Sequence, residues 1–193
     1  MRRFLEQKLK LKVNEKKSKV DRPAKRKFLG FRLFRRKGDV VVGVAQRALE
    51  RCQERLRQMT RRTRTGRLDG VLAEINAYTR GWLGYFRLAD TPSVFQELDE
   101  WLWRRLRQLL WTRWKKPQTR QRHLVALGVS PRTAREATSS GKGTWRLAAS
   151  PPVQQALSNA IWRTQGLESI TERYHQLRST CRTAGCGPAC PVV

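Results

Sequence analysis

Near the start of the chain apolar and basic positions alternate. Leu9-Lys10-Leu11-Lys12-Val13 has the period of a half-buried strand. A polar break over residues 14–27 follows, where Pro23 excludes a helix interior. Phe28-Leu29-Gly30-Phe31-Arg32-Leu33 predicts a second strand. Lys37-Gly38-Asp39 supplies turn chemistry, and Val40-Val41-Val42 predicts the returning arm of a hairpin. Three strands without sheet partners cannot close a core, so this segment reads as the edge of something larger.

From Val44 the apolar period changes to that of a helix. A first helix over residues 44–62 places Ala45, Ala48, Leu49, Cys52, Leu56 and Met59 on one side, and a basic, Thr-rich connection follows. The second helix, residues 68–88, has the cleanest pattern. At 100° per residue Leu68, Val71, Leu72, Ile75, Tyr78, Trp82, Leu83 and Phe86 share one side. Thr91 as N-cap with Pro92 in the first turn starts a third helix, which reaches Trp114 before Pro117 ends it.

Three similar starts punctuate the remainder. Ser130-Pro131 opens a short helix that Gly141 can stop, and Ser150-Pro151 opens one that reaches Gly166. Ser169 with Glu172 makes a capping box for a last helix over residues 169–177. Residues 180–193, with two Gly, two Pro and three Cys, read as a loose tail. The fold class is therefore mainly α: strands and a hairpin, a three-helix unit, then short helices. The divisions fall at 1–43, 44–116, 117–178 and 179–193.

Charge changes the picture more than length does. The 193 residues hold 42 Lys plus Arg against 15 Asp plus Glu, a formal charge of +27. A bland surface carries a net charge of about 2–8 in magnitude. An excess this large repels itself, and a polyanion relieves the repulsion while releasing counterions. Nucleic acid is the expected partner. Hydrophobic residues at 39% and seven Trp suffice for a packed core, so wholesale disorder is not expected. No apolar run approaches the roughly 20 residues of a membrane span, and the first residues lack the apolar block of a secretory leader. A cytoplasmic location without membrane attachment is expected, with four reduced thiols.

Candidate chemistry is mostly absent. His123 and His175 lie far apart with no acid or thiol at useful helical spacing, and no P-loop, dinucleotide fingerprint or His-Glu metal motif occurs. Cys181, Cys186 and Cys190 with His175 could ligate zinc, but the paired C-x2-C spacing of structural zinc sites is missing. No catalytic residue, metal or cofactor is expected.

Two helix faces suggest binding instead. On the third helix Val94, Phe95, Leu98, Trp101, Leu102, Leu106 and Leu109 share one side, while Trp103, Trp111 and Trp114 share the other with Arg104, Arg107 and Lys115. Rings among guanidinium groups can stack on unpaired bases, or the helix can be sandwiched between two packed layers. From Trp101 to His123 there are eight Lys or Arg and no acid. On the second helix Gly70, Ala73, Ala77, Gly81 and Gly84 lie opposite the core, flanked by Arg80 and Arg87. Each Gly costs roughly 1 kcal/mol relative to Ala, so a close approach should offset it. That approach is either a neighbouring helix or the wide, shallow minor groove of an A-form duplex.

Several stretches closely resemble the maturase-specific (X, or thumb) domain of group II intron reverse transcriptases. They are Arg80-Gly81-Trp82-Leu83-Gly84-Tyr85-Phe86, then Leu98-Asp99-Glu100-Trp101-Leu102-Trp103-Arg104-Arg105-Leu106-Arg107, then Leu110-Trp111-Thr112-Arg113-Trp114-Lys115. Gly141-Lys142-Gly143-Thr144-Trp145-Arg146 and Ala156-Leu157-Ser158-Asn159-Ala160 extend the likeness toward the C-terminus. Residues 9–19 and Phe28-Leu29-Gly30-Phe31 resemble the last two blocks of a reverse-transcriptase palm, so the likeness covers roughly residues 4–178.

The resemblance implies a protein that binds its own intron RNA, assists splicing and takes part in retrohoming. It implies that residues 1–43 are a palm remnant and that Phe28, Leu29, Gly30 and Phe31 belong to a primer-grip hairpin. The helices of residues 44–116 would be the thumb that clasps template–primer and intron RNA, and those beyond Pro117 take the place of a DNA-binding region. The implied nucleic-acid contacts are the four hairpin residues with Arg61, Arg62, Arg64, Arg67, Arg80, Gly81, Gly84 and Arg87. Along and after the third helix they continue with Arg104, Arg105, Arg107, Arg113, Lys115, Lys116, Arg120 and Arg122.

The departures are as informative. The family's Tyr-x-Asp-Asp metal-binding turn and its further Asp are missing, and Asp99-Glu100, on a helix, is the only adjacent acidic pair. The Cys-bearing end does not match the family's endonuclease pattern. The chain is expected to be the C-terminal portion of a broken or artificially started reading frame, unable to polymerise alone. Its expected partners are structured intron RNA, an RNA/DNA template–primer and an upstream reverse-transcriptase fragment. The competing reading is the C-terminal piece of a split or degenerate RNA-directed DNA polymerase.

Overall fold

The computed structural model describes residues 27–183 except 63 and 65, together with residues 4, 7, 8 and 10. The strand expected over residues 9–13 falls largely outside these residues, as does the tail beyond residue 183. The described fold is mainly helical behind a small sheet. Strands β1 (Lys27–Phe28), β2 (Phe31–Arg36) and β3 (Asp39–Val44) form an antiparallel sheet in that order, with Phe28 opposite Phe31 and Leu33 opposite Val42.

The second expected strand is broken. Leu29 at φ 49° and Gly30 at φ 81° reverse the chain in a two-residue turn of the kind that suits the twist of a hairpin. A leucine in that region costs roughly 1–2 kcal/mol. The Tyr85 hydroxyl holds it there by donating to the Leu29 carbonyl at 2.8 Å. Gly30 is required twice over, for its φ and because a Cβ would meet the Phe86 ring at 3.2 Å. The expected turn at Lys37-Gly38 forms, with φ of 51° and 94°.

Helix α1 (Gln46–Met59) starts later than its apolar pattern, since Val44 still pairs with Phe31 in the sheet. It buries Cys52, Leu56 and Met59 against α2 (Leu68–Phe86) and α3 (Pro92–Arg113). Phe31 stacks on Tyr85 at 5.5 Å and meets Phe86 at 5.1 Å, so the sheet is fixed to the end of α2. Thr91 does not cap α3 with its side chain; its hydroxyl is buried without a partner.

Helix α3 is buried on two sides. Phe95, Leu98, Leu102, Leu106 and Leu109 are in the core, and so are Trp111 and Arg107. Beyond it come α4 (Pro117–Ala126), α5 (Pro131–Ser139), α6 (Thr144–Leu147), α7 (Pro151–Ala156), α8 (Asn159–Thr164) and α9 (Ile170–Thr183). The single helix expected from Ser150 to Gly166 is two, α7 and α8. Arg107 explains the break: its Nε donates to the Leu157 carbonyl and its Nη2 to Asn159 Oδ1, both at 3.0 Å. Helix α6 packs on α3, and α9 lies across α2 and α3. One apolar core runs from Val44 to Tyr174 through all these helices.

Candidate nucleic-acid interface

The apolar stripe of α2 faces inward, with Val71, Leu72, Ile75, Leu83 and Phe86 buried. The opposite strip faces out. Gly70, Ala73, Ala77, Gly81 and Gly84 are all exposed, and a Cβ added at Gly70, Gly81 or Gly84 would meet nothing within 4 Å. No neighbouring helix among the described residues covers it. Tyr85 (52% exposed), Leu88 (55%), Leu29 (66%) and Phe28 (76%) extend the face past the end of α2, joined by the Tyr85–Leu29 hydrogen bond. The exposed apolar members Tyr85 and Leu88 were absent from the expected contacts; the same angular arithmetic that finds the strip places Leu88 with it.

The expected cationic contacts fall into two groups. One group is tethered within the fold. Arg64 pairs with Glu74, whereas Arg67 meets Asp69 at 3.1 Å only in a pair that is 90% and 63% exposed, too open to hold it. Arg80 grips Glu168 with two nitrogens, Nε at 2.8 Å, and each partner shifts the other: Arg80 is raised and Glu168 lowered by that bond. Arg104 lies over the Trp145 ring at 4.1 Å and donates to its carbonyl at 3.0 Å. Arg105 reaches the Thr60 hydroxyl at 3.2 Å, and Arg120 the Trp114 carbonyl at 2.7 Å. Burial lowers the pKa of Arg105 and of Arg107.

The second group is open. Arg61, Arg62, Arg87, Lys115, Lys116 and Arg122 are exposed, their side chains without a hydrogen bond or ion pair among the described residues. Arg113 lies between the groups, half-buried with one Nη left unpartnered. Arg87 is the open cation beside the Gly/Ala strip. Phe28 and Leu29 are exposed at the hairpin turn, whereas Gly30 and Phe31 lie half-buried against α2.

Residues 49–128 match the family model of the group II intron maturase-specific domain. Over that stretch the chain is similar to this domain. The match begins inside α1 and ends at Gly128, so it takes in α2, its open strip, α3 and α4. No curated protein matches the chain.

Within the matched stretch the indole face of α3 is packed more than it is presented. Trp111 is fully buried, and Trp103 and Trp114 are half-buried against the core. Trp114 stacks on His123 at 4.6 Å. The sandwich is thus the arrangement α3 adopts, and Trp111 is not available to stack on a base. Among the described residues no three His, Cys, Asp or Glu side chains gather as a metal-ligating group, and no helix is long and apolar enough to cross a membrane.

Proposed function

We propose that the chain is an RNA-binding maturase fragment of a group II intron-encoded protein, gripping intron RNA or template–primer to assist splicing and mobility. The observation that carries the reading is the open Gly/Ala strip of α2. Small side chains let a duplex backbone come close to the helix, and an A-form minor groove is wide and shallow enough to receive such a surface. Arg87 stands beside the strip to meet phosphates, and Tyr85, Leu29 and Phe28 offer apolar faces at its end. Arg61 and Arg62 add positive charge after α1. Polymerisation requires carboxylates that converge on metal ions, and we assign these to an upstream fragment acting with this chain.

The test uses Gly84→Leu and Arg87→Gln in the full chain, with thermal unfolding and affinity for a structured intron RNA measured on both. Leucine in an exposed helix interior replaces a poor helix former, so Gly84→Leu should fold at least as stably as the parent. Its RNA affinity should nevertheless fall, because the longer side chain holds the duplex away. If both variants bind RNA like the parent, the strip is not the contact surface.

A further inference from the structure

An open cleft of about 610 Å³ lies where three parts of the chain meet: the hairpin end of the sheet, the turn between α2 and α3, and α9. Its walls are fixed to one another. The Asp90 amide donates to the Val42 carbonyl at 2.7 Å, so the turn is tied to β3. Gly43 allows the close approach, since a Cβ there would meet the Phe34 ring at 2.7 Å and the Thr91 methyl at 3.2 Å. On the other wall the Tyr174 hydroxyl donates to the Ala89 carbonyl at 2.8 Å, which ties α9 to the same turn. The size falls within the roughly 300–1,000 Å³ of small-molecule sites.

The lining has the chemistry of an anion site. Arg36, at the end of β2, is exposed, and its side chain makes no hydrogen bond or ion pair among the described residues. Arg178 is held by one nitrogen alone: Nη1 donates to Asp90 and, at 2.6 Å, to the Tyr174 hydroxyl. Its Nε and Nη2 make no hydrogen bond among the described residues. Together they form the edge of a guanidinium that meets a phosphate with two parallel bonds. The fork is thus set in place before any ligand arrives. Asp90 gives one oxygen to Arg178 and leaves the other for a hydroxyl. Val41 and Pro92 add apolar walls, and the exposed His175 lines the same cleft.

We infer that this cleft binds a small sugar phosphomonoester, the size of a nucleoside monophosphate. Arg36 and the free edge of Arg178 hold the phosphate, Asp90 accepts from a sugar hydroxyl, and Val41, Pro92 and the His175 ring flank the remainder. Two guanidinium groups against one carboxylate leave the empty cleft positive, which favours entry of a dianion. A monoester carries close to two charges and three terminal oxygens for the two forks, more than the diester of a strand offers. None of these residues is among the nucleic-acid contacts expected from the sequence. The site is separate from the strip on α2 and does not rest on the RNA-gripping reading.

The experiment titrates the full chain with adenosine 5′-monophosphate by calorimetry, at constant ionic strength and without RNA. Saturable binding at one site is expected, with inorganic phosphate binding more weakly and adenosine not binding. Arg36→Gln should bind the monophosphate roughly tenfold more weakly. Arg178→Lys should lose as much, since it keeps the charge and removes the fork. Arg135→Gln, an equal change of charge at an exposed residue of α5, should bind as the parent does. Arg36→Gln should also keep the parent's unfolding temperature and RNA affinity, because Arg36 holds nothing within the fold. The inference is overturned if no saturable binding occurs, or if Arg36→Gln binds like the parent. It is overturned as well if adenosine or inorganic phosphate binds as tightly as the monophosphate. Equal weakening by Arg135→Gln would show diffuse charge in place of a site, and a matching loss of RNA affinity in Arg36→Gln would make the cleft part of the RNA surface; either result overturns it.

Discussion

The carboxyl group of Asp99, buried in α3, accepts the hydroxyl of Ser169 at 2.8 Å across 70 residues of chain. The same two oxygens accept the Ile170 and Thr171 amides, each at 2.9 Å. The first N–H groups of a helix have no partner inside it, and their dipoles favour an acidic group. Asp99 therefore supplies from another helix the cap that α9 needs. Asn76 does similar work just before it, donating to the Gly166 carbonyl at 2.6 Å and accepting the Glu168 amide at 3.0 Å. These contacts, with the Tyr174 hydroxyl on the Ala89 carbonyl at 2.8 Å, fasten the last helix to α2 and α3.

Replacing Asp99 by Ala leaves buried amides unpaired and should lower stability by about 2–4 kcal/mol. Asp99→Asn keeps the shape and one acceptor, and should lose less. Thermal unfolding checks both, at about 2–4 °C per kcal/mol for a chain of this size. An Asp99→Ala protein as stable as the parent would show that α9 needs no cap from α3.

The cap shows where sequence patterns stop being informative. The helices were legible because burial of one side imposes a period, as in the run from Leu68 to Phe86 of α2. Ser169 was legible as a cap and does accept from Glu172 N at 3.3 Å, but Glu172 turns to Arg163 instead of closing the box. Helical angle sets Asp99 on the apolar side of α3 and Glu100 opposite it, but no local pattern tells that Asp99 caps a helix 70 residues on. The turn at Leu29 was hidden because leucine does not favour a left-handed φ; Tyr85, 56 residues on, makes it tolerable. The strip on α2 was legible by angle alone. Which arginines are open was not, since the acid that holds Arg80 lies 88 residues away.

Arg107 looked like a phosphate contact and is instead a brace. It is 8% exposed and forks between Leu157 and Asn159 where α7 gives way to α8. Lysine has no planar fork, so Arg107→Lys should cost about 1–3 kcal/mol in denaturant unfolding. The same variant should keep its RNA affinity at temperatures where it is folded. Loss of RNA binding without loss of stability would contradict the bracing role.

Cys52 and Tyr78 make the fold sensitive to alkali. Burial pushes the Cys52 thiol from 9.0 up to about 12, the bond from Tyr78 only partly opposing it. Burial first, and then Cys52, push the Tyr78 phenol from 10.0 to about 12. Both folded-state values are raised, so the unfolded chain releases these protons first. The stability is present in full below about pH 9 and is lost as pH climbs toward 12. Urea midpoints should fall across that interval, and less steeply in Cys52→Ala. Native Cys52 should also resist alkylation at pH 8, since the thiolate is the reactive form.

The division of cations predicts two separable phenotypes. Arg61, Arg62, Arg87 and Arg122 are exposed and hold nothing in place, so changing them to Gln should leave the unfolding temperature near the parent's. If they meet phosphates, each change removes counterion release, and the slope of log affinity against log salt should flatten by about 0.7–0.9 per contact. Arg104, Arg105 and Arg120 already donate to Trp145, Thr60 and Trp114. Changing these to Gln leaves part-buried acceptors short of a donor, so unfolding temperature should drop while the salt slope of the folded protein stays close to the parent's. Arg80 belongs between the sets, because a phosphate can compete for it with Glu168. Salt titrations of RNA binding alongside thermal unfolding separate the two sets. An unchanged slope in the first would place the RNA on some other surface, however basic this one is.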